Sequence, residues 1–429
     1  MLLLHISDIH FHRDEIGSTM DPNHHLRNEI LRDVEQMCNR LGKVPTAILI
    51  TGDIAYAARK EEYTFALRWL EQLVARCGAS MSSIFVIPGN HDVNRSTAGG
   101  ITVQSLHLRI KNCSLSMLDR EMRICLSDAN AGRTLYEPLT EFNLFAGQFF
   151  CDLIAPDRTF CSRDLPLNDG SVLRLTGLNS AFLSSESDAA GELFVDPSYY
   201  RIIREAGVEH LVLCHHPVNW LKNEASLKNH LNDVARVQLY GHEHTNRIES
   251  SNHHVTVFAS AAHPDRTENG WEPGYNLMEI EVVTTEETRK LSVRTHVRVW
   301  QLSPGQFRAK MNGYEDSFHQ NIKLENWIAN HATNVIDPIN VQESCSQSVL
   351  ESHTAEDDPM DTLRNIYIKF FKLTFSQKTA IAGKLGLFED SDLNQPDSER
   401  FRRIFFRAQE RNLIEALDKE VNSATQTNN

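Results

Sequence analysis

Short apolar runs and stretches of helical periodicity alternate along the first ninety residues. Met1-Leu2-Leu3-Leu4-His5-Ile6 predicts a buried strand, and residues 22–40 follow with Leu26, Ile30, Leu31, Val34 and Met37 on one helical face. Ala47–Ile50 predicts a second strand. Residues 61–76 predict an amphipathic helix carrying Tyr63, Phe65, Trp69, Leu70 and Leu73, and Ile84–Ile87 a third strand that stops at Pro88. Strand–helix–strand alternation of this kind implies parallel pairing through crossover helices. Ligands then collect at the carboxyl ends of the strands.

Residues 94–170 break that rhythm and predict an inserted helical cap, with the apolar run Phe142–Phe150 as its helix core. Strands return at 172–175, 210–213, 237–240 and 254–258, and the alternating stretch 275–301 predicts an antiparallel hairpin. The polar, acidic stretch 331–360 predicts a linker between a domain spanning 1–330 and a small helical domain at 361–422. In the latter, Leu363, Ile366, Phe370, Ile404, Phe405 and Leu417 recur at helical spacing; Ser376 and Ser398 are candidate N-caps and Gly386 a helix stop. The expected fold is α/β with a helical insertion, plus a small all-α C-terminal domain.

Five polar motifs sit where the strands end: Asp8-Ile9-His10, Gly52-Asp53, Gly89-Asn90-His91-Asp92, Cys214-His215-His216-Pro217 and Gly241-His242-Glu243-His244. Each carries a carboxylate, amide or imidazole ligand, and together they describe a two-metal phosphoesterase centre. One metal would take Asp8, His10 and His244, the other Asn90, His215 and His242, with Asp53 bridging both. Such ligands suit Mn²⁺ first, with Fe or Zn²⁺ as alternatives, and the absence of thiolates argues against structural zinc. A hydroxide held between two metals is the expected nucleophile. His91 is the expected acid for the leaving alkoxide, oriented by Asp92. Arg95 and His216 are candidate contacts for the substrate phosphate. His5 reads as a core residue, and His254 and His263 as solvated loop or strand-end residues.

Composition narrows the class of function. A net charge of −14 argues against broad nucleic-acid affinity, which needs a basic face, although bound metals would reverse the local field. Eight scattered cysteines without a Cys-x-x-Cys pair fit reduced thiols. With no basic leader and no long apolar run, a cytoplasmic protein with no membrane partner is expected.

At these motifs the chain resembles the calcineurin-like metallophosphoesterases over roughly residues 1–300. The resemblance implies a four-layer α/β/β/α sandwich of two mixed sheets, the ligand set above, and His215 rather than His216 as the fourth-motif ligand. Its Gly-Asn-His-Asp motif is the form carried by the superfamily's phosphodiesterases and repair nucleases, which implies a diester substrate: a nucleotide or nucleic acid. The tail, with Phe375-Ser376-Gln377 and Leu385-Gly386-Leu387, is similar to death-fold-like effector-associated domains of bacterial conflict systems. That likeness implies a protein partner for residues 361–422 and a role in antiphage defence. The competing expectations are a phosphomonoesterase or protein phosphatase, and a chain whose main role is recruitment.

Overall fold

In a computed structural model of the chain, residues 1–267, 270–286, 288–327, 359–392, 395 and 397–426 are described. The expected linker at 331–360 lies almost wholly outside these residues. The strands are β1 (Leu2–Ile6), β2 (Ala47–Ile50), β3 (Ile84–Val86), β4 (Cys161–Pro166), β5 (Val172–Gly177), β6 (Val208–Cys214) and β7 (Ala235–Tyr240). They continue with β8 (Arg247–Ser250), β9 (Val255–Phe258), β10 (Gly274–Thr284), β11 (Arg289–Leu302), β12 (Gly305–Ala309) and β13 (Phe318–Lys323). One sheet runs β12-β11-β10-β1-β2-β3, with β13 also pairing β11, and the other β4-β5-β6-β7-β9-β8. The pairs among β1, β2 and β3 are parallel, as are those joining β5, β6, β7 and β9. Both sheets therefore send several carboxyl ends toward one edge. Their inner faces share one apolar core, in which Phe85 and Ile87 crowd Gly177 of the opposite sheet so closely that a Cβ there would collide with both.

Helices α1 (His24–Leu41) and α2 (Lys60–Cys77) pack on the outer face of the first sheet. The apolar stripe expected on α1 is buried as a set (Leu26, Ile30, Leu31, Val34 and Met37), each such side chain contributing about 1.5–3 kcal/mol by leaving water. A buried ion pair also fixes α1: Arg298 donates to Asp33 at 2.7 and 2.8 Å, and the Tyr275 hydroxyl donates to the same carboxylate at 2.6 Å. The insertion after β3 supplies α3 (Arg95–Ala98), α4 (Ile101–Lys111), α5 (Leu115–Ser127), α6 (Ala129–Tyr136) and α7 (Thr140–Ala146); α8 (Glu224–Val234) packs behind β6 and β7.

The helical insertion is shorter than the residue pattern suggested. Helical structure ends at Phe149, and residues 161–166 form β4, an edge strand antiparallel to β5. That strand alternates buried and exposed positions, but a buried Arg163 masks the pattern. Its guanidinium is accepted inside because it donates to the carbonyls of Ser82, Ile84 and Phe149 at 2.8–3.0 Å. The residue pattern also gives no sign of β8, β12 and β13, because β8 is mostly exposed and the other two are polar edge strands.

Four further helices share their own apolar core: α9 (Pro359–Lys372), α10 (Phe375–Lys384), α11 (Asp397–Glu410) and α12 (Ile414–Gln426). The α10 cap is Thr374, in a reciprocal box with Gln377, rather than Ser376; α11 starts at Asp397, so Ser398 lies inside it. These helices lean on the insertion. The Phe150 ring stacks on Tyr367 at 4.0 Å, and Arg158 bridges Asp152 and Glu399 at 2.6 and 2.7 Å. Among the described residues no helix is long and apolar enough to cross a membrane.

Candidate metal centre

Every ligand-bearing loop leaves the carboxyl end of a buried strand, and the loops are zipped to one another by backbone hydrogen bonds. Asp8 N–H donates to the Gly52 carbonyl at 3.1 Å; Ile9 and His10 N–H both donate to the Asp53 carbonyl, at 2.9 and 3.0 Å. His91 N–H donates to Asp53 Oδ1 at 2.8 Å, and Gly241 N–H to the His215 carbonyl at 3.0 Å. The price of bringing five loops to one point is backbone strain: Asp8, His10, Asp53, His242 and His244 all have φ between 49° and 70°. Left-handed non-glycine residues cost of order 1–3 kcal/mol each and cluster at functional sites. Two glycines make the approach possible. A Cβ at Gly52 would lie 2.6 Å from His215 Nδ1, and one at Gly89 would strike the Asp53 carboxylate.

The side chains converge as tightly as the loops. Asp8 Oδ1 lies 3.4 Å from His244 Nε2 and 3.8 Å from His10 Nε2; Asp53 Oδ2 lies 3.4 Å from His215 Nε2 and 3.7 Å from His10 Nε2. His215 donates from Nδ1 to the Thr51 carbonyl at 2.7 Å, which turns Nε2 toward Asn90 Oδ1 at 3.1 Å. Possible ligand atoms of Asp8, His10 and His244 lie within 4.8 Å of one another, as do those of Asp8, Asp53 and His215, those of His10, Asp53 and His91, and those of His215, His216 and His242.

The electrostatics are those of a site suited to positive charge. Burial opposes charge on Asp8, yet the His10 and His244 imidazoles hold its carboxyl well below the ordinary range. Asp53 is likewise depressed against its burial, by His215 above all. His215 itself, though burial opposes its charge, is raised to about 9 by Asp53. Two buried carboxylates thus draw a proton onto a buried imidazole, the place a divalent cation would take. His10 Nε2 is buried without a hydrogen bond. Oxygen and imidazole donors, strained loops and an orphaned ring nitrogen all fit a pair of divalent ions.

The structure therefore brings Asp8, His10, Asp53, Asn90, His215, His242 and His244 to one point, with the His91 ring 4.6 Å from that of His10. Two expectations change. Asp92 does not orient the His91 ring, whose Nδ1 donates to the Tyr56 carbonyl at 2.7 Å. The Asp92 carboxylate is buried and instead accepts from the N–H groups of Ile54, Ala55 and Gly89 at 3.0–3.2 Å and from the Tyr63 hydroxyl at 2.9 Å. It ties the loop of Asp53 to the loop of Asn90. His216 is fully buried, with Nδ1 2.9 Å from Ser180 Oγ, and burial with its cationic neighbours keeps it neutral; no face of it reaches a substrate. Arg95 is exposed on α3, on the His91 side of the centre.

His263 is not the solvated residue that its place after a strand suggests. It is buried, Nδ1 donates to the Ile9 carbonyl at 2.6 Å, and burial lowers its pKa to about 3. It lines a cavity of about 460 Å³ with His10, His12, Tyr56, His91 and His244. Nothing in the sequence marked Tyr56 or Tyr63, because one acts through a backbone carbonyl and the other through a buried hydroxyl.

A family model described as calcineurin-like phosphoesterase matches residues 1–246, more than half of the chain. The chain belongs to that family. A second model, the GTPase-associated adaptor domain, matches residues 362–423 of this phosphoesterase. Among curated proteins, the chain is 37% identical over 97 residues to the glycerophosphodiester phosphodiesterase GpdQ of Enterobacter lignolyticus (strain SCF1), covering 21% of this chain and 30% of the relative. It is 24% identical over 255 residues to YydB of Bacillus subtilis (strain 168), an uncharacterised metallophosphoesterase-like protein, covering 56% and 48%. The chain thus spans less than half the length of either relative. A solved vacuolar protein sorting 29 of Cryptosporidium parvum aligns with 75% of this chain and 98% of its own at 9% identity, but its TM-score of 0.31 carries no argument.

Proposed function

We propose that this phosphoesterase is a two-metal phosphodiesterase acting on nucleotides or nucleic acid. The observation that carries the reading is the single cluster of Asp8, His10, Asp53, Asn90, His215, His242 and His244 with the His91 ring beside it, 4.6 Å from that of His10. Two divalent ions held there, Mn²⁺ by preference, would supply an activated water and absorb charge on the phosphoryl oxygens. The protein's own part is positional. Asp53 lies between the two ligand groups, and its carboxylate also accepts the His91 N–H. The Tyr56 carbonyl accepts the His91 Nδ1–H, so the imidazolium form of the ring would give its Nε2 proton to the departing alkoxide and return to the neutral ring. The phosphodiesterase named among the relatives supports a diester over a monoester.

The match to an adaptor domain supports a second element of the reading: residues 361–422 bind a protein partner and bring the 1–330 domain to its target, with 331–360 as linker. In that scheme the chain is a cytoplasmic effector, a nuclease used in bacterial antiviral defence. The test is hydrolysis with Mn²⁺ of cyclic nucleotides, single- and double-stranded DNA, RNA, bis(p-nitrophenyl) phosphate and p-nitrophenyl phosphate, with His91→Ala as control. Diester cleavage lost in the variant is expected. Turnover of the monoester alone would overturn the diesterase reading in favour of a phosphatase.

A further inference from the structure

A second cleft of about 650 Å³ lies between α3–α4 and the loop at Ser185–Ser187. That is within the size range of small-molecule sites. Arg95 lines this cleft from the start of α3, four residues after His91 in the chain. The segment that carries His91 thus runs straight into the cleft wall, which would receive a group leaving from the His91 side of the scissile phosphate.

The cleft wall is mixed in chemistry. Arg95 has no acidic partner among the described residues, and Lys111 meets Asp188 only loosely, at 3.8 Å. Lys222 donates to the carbonyls of Lys111 and Cys113, which fixes the end of α4 and adds positive charge there. Between Arg95 and Tyr136 the sequence carries six Arg and Lys against three Asp and Glu, in a chain whose net charge is −14. The wall also holds acceptors. Glu186 lies on its rim, and His107, 5% exposed, keeps a buried Nε2 without a partner. The Phe182 backbone takes the other nitrogen of that ring, so Nε2 is an acceptor. Leu108, 57% exposed, gives the same wall an apolar face. A bare anion would be repelled by the carboxylates. A ligand with a phosphate, sugar or base donors and an apolar face satisfies the whole wall.

We propose that this cleft is a subsite for the departing nucleotide, with Arg95 and Lys111 taking the phosphate next to the scissile one. The enzyme's substrates are then oligonucleotides, rather than diesters of small alcohols. The proposal rests on the diesterase reading and on His91 as the acid.

The test compares kcat/KM with Mn²⁺ for the dinucleotide TpT and for its phosphorylated forms pTpT and TpTp, so that either chain direction is sampled. One extra charge-assisted contact is worth about 1.5–3 kcal/mol, so at least one extended substrate should be favoured by about tenfold or more over TpT. In Lys111→Ala that ratio should fall below about threefold, and Lys111→Arg should restore it. Because the readout is a ratio, a general loss of activity cancels. If TpT is cleaved and the wild-type ratio is near one, or the ratio survives in Lys111→Ala, the subsite is wrong while the diesterase reading stands. If neither the dinucleotides nor bis(p-nitrophenyl) phosphate is turned over, the diesterase reading fails. The cleft is then judged by calorimetric titration with thymidine 3′,5′-bisphosphate. Binding weakened about tenfold by Lys111→Ala supports it, and no binding, or binding indifferent to that change, overturns it.

Discussion

Replacing Asp92 by Asn separates two roles that the third motif could assign to this residue. All four partners of the carboxylate are donors: Ala55 N–H and Tyr63 O–H on Oδ1, Gly89 N–H and Ile54 N–H on Oδ2. A carboxylate is an acceptor at both oxygens, whereas an amide must turn its NH₂ toward one pair. The less costly orientation faces Ala55 and Tyr63, since the hydroxyl can rotate to accept. One buried N–H, that of Ala55, is still left unpaired. The cost is about 1–3 kcal/mol, or about 2–4 °C of Tm for each kcal/mol in a domain of this size. Part of it is offset, because burial and then the nearby Asp53 raise the Asp92 pKa to about 6, and Asn removes that disfavoured charge. The larger effect falls on geometry. With the clamp between the Asp53 and Asn90 loops loosened, Mn²⁺ affinity should drop about 10–100-fold, as for other residues that orient ligands from behind. Mn²⁺ titrations followed by Tm and by bis(p-nitrophenyl) phosphate turnover measure it, and saturating metal should restore kcat to within a few-fold. A kcat that stays low at saturating Mn²⁺, with unchanged metal affinity, would refute the clamp and return Asp92 to a role in orienting His91.

Three further outcomes follow from the same contacts. His91→Gln should lower kcat by about 10²–10⁴-fold while leaving the rise in Tm on adding Mn²⁺ intact, because His91 is outside the seven-ligand set; a lost Tm response would make it a ligand. Chelation should lower Tm by about 5 °C or more relative to protein in Mn²⁺ at a hundredfold excess over Kd, where binding adds about 2.7 kcal/mol, and equal melting with and without metal would remove the metal centre from the argument. At the contact with the C-terminal helices, Phe150 stacks on Tyr367 while holding φ at 58°. Both Phe150→Ala and Phe150→Gly lose the stack, but only glycine relieves the backbone, so the glycine variant should be the more stable by about 1 kcal/mol in thermal or urea unfolding; the reverse order would mean the left-handed turn is not retained.

What could be read from the sequence, and what could not, follows from where each signal resides. The strands β1, β2, β3, β6 and β7 are almost wholly buried; β2 and β3 appear as unbroken apolar runs and the other three as apolar runs with few polar interruptions, so their ends, and with them the five polar motifs, stood out. Strand β4 did not, because a buried arginine satisfied by three backbone carbonyls looks polar until those carbonyls are placed. His263 failed for the same reason in reverse: a lone histidine after a strand gives no sign that the Ile9 carbonyl holds it inside. Asp92 and His216 show the limit of motif reading. Each stands next to a ligand in the chain, but adjacent residues on a tight loop point apart. Asp92 turns inward to bind three backbone N–H groups, and His216 turns beneath the centre to Ser180. The residues that converge at the centre were legible because side chains carry that chemistry. The supports that hold the ligands were not, because they act on backbone groups that every sequence possesses. The variants that test Asp92 and Phe150 therefore probe the part of this phosphoesterase that only its three-dimensional structure exposes.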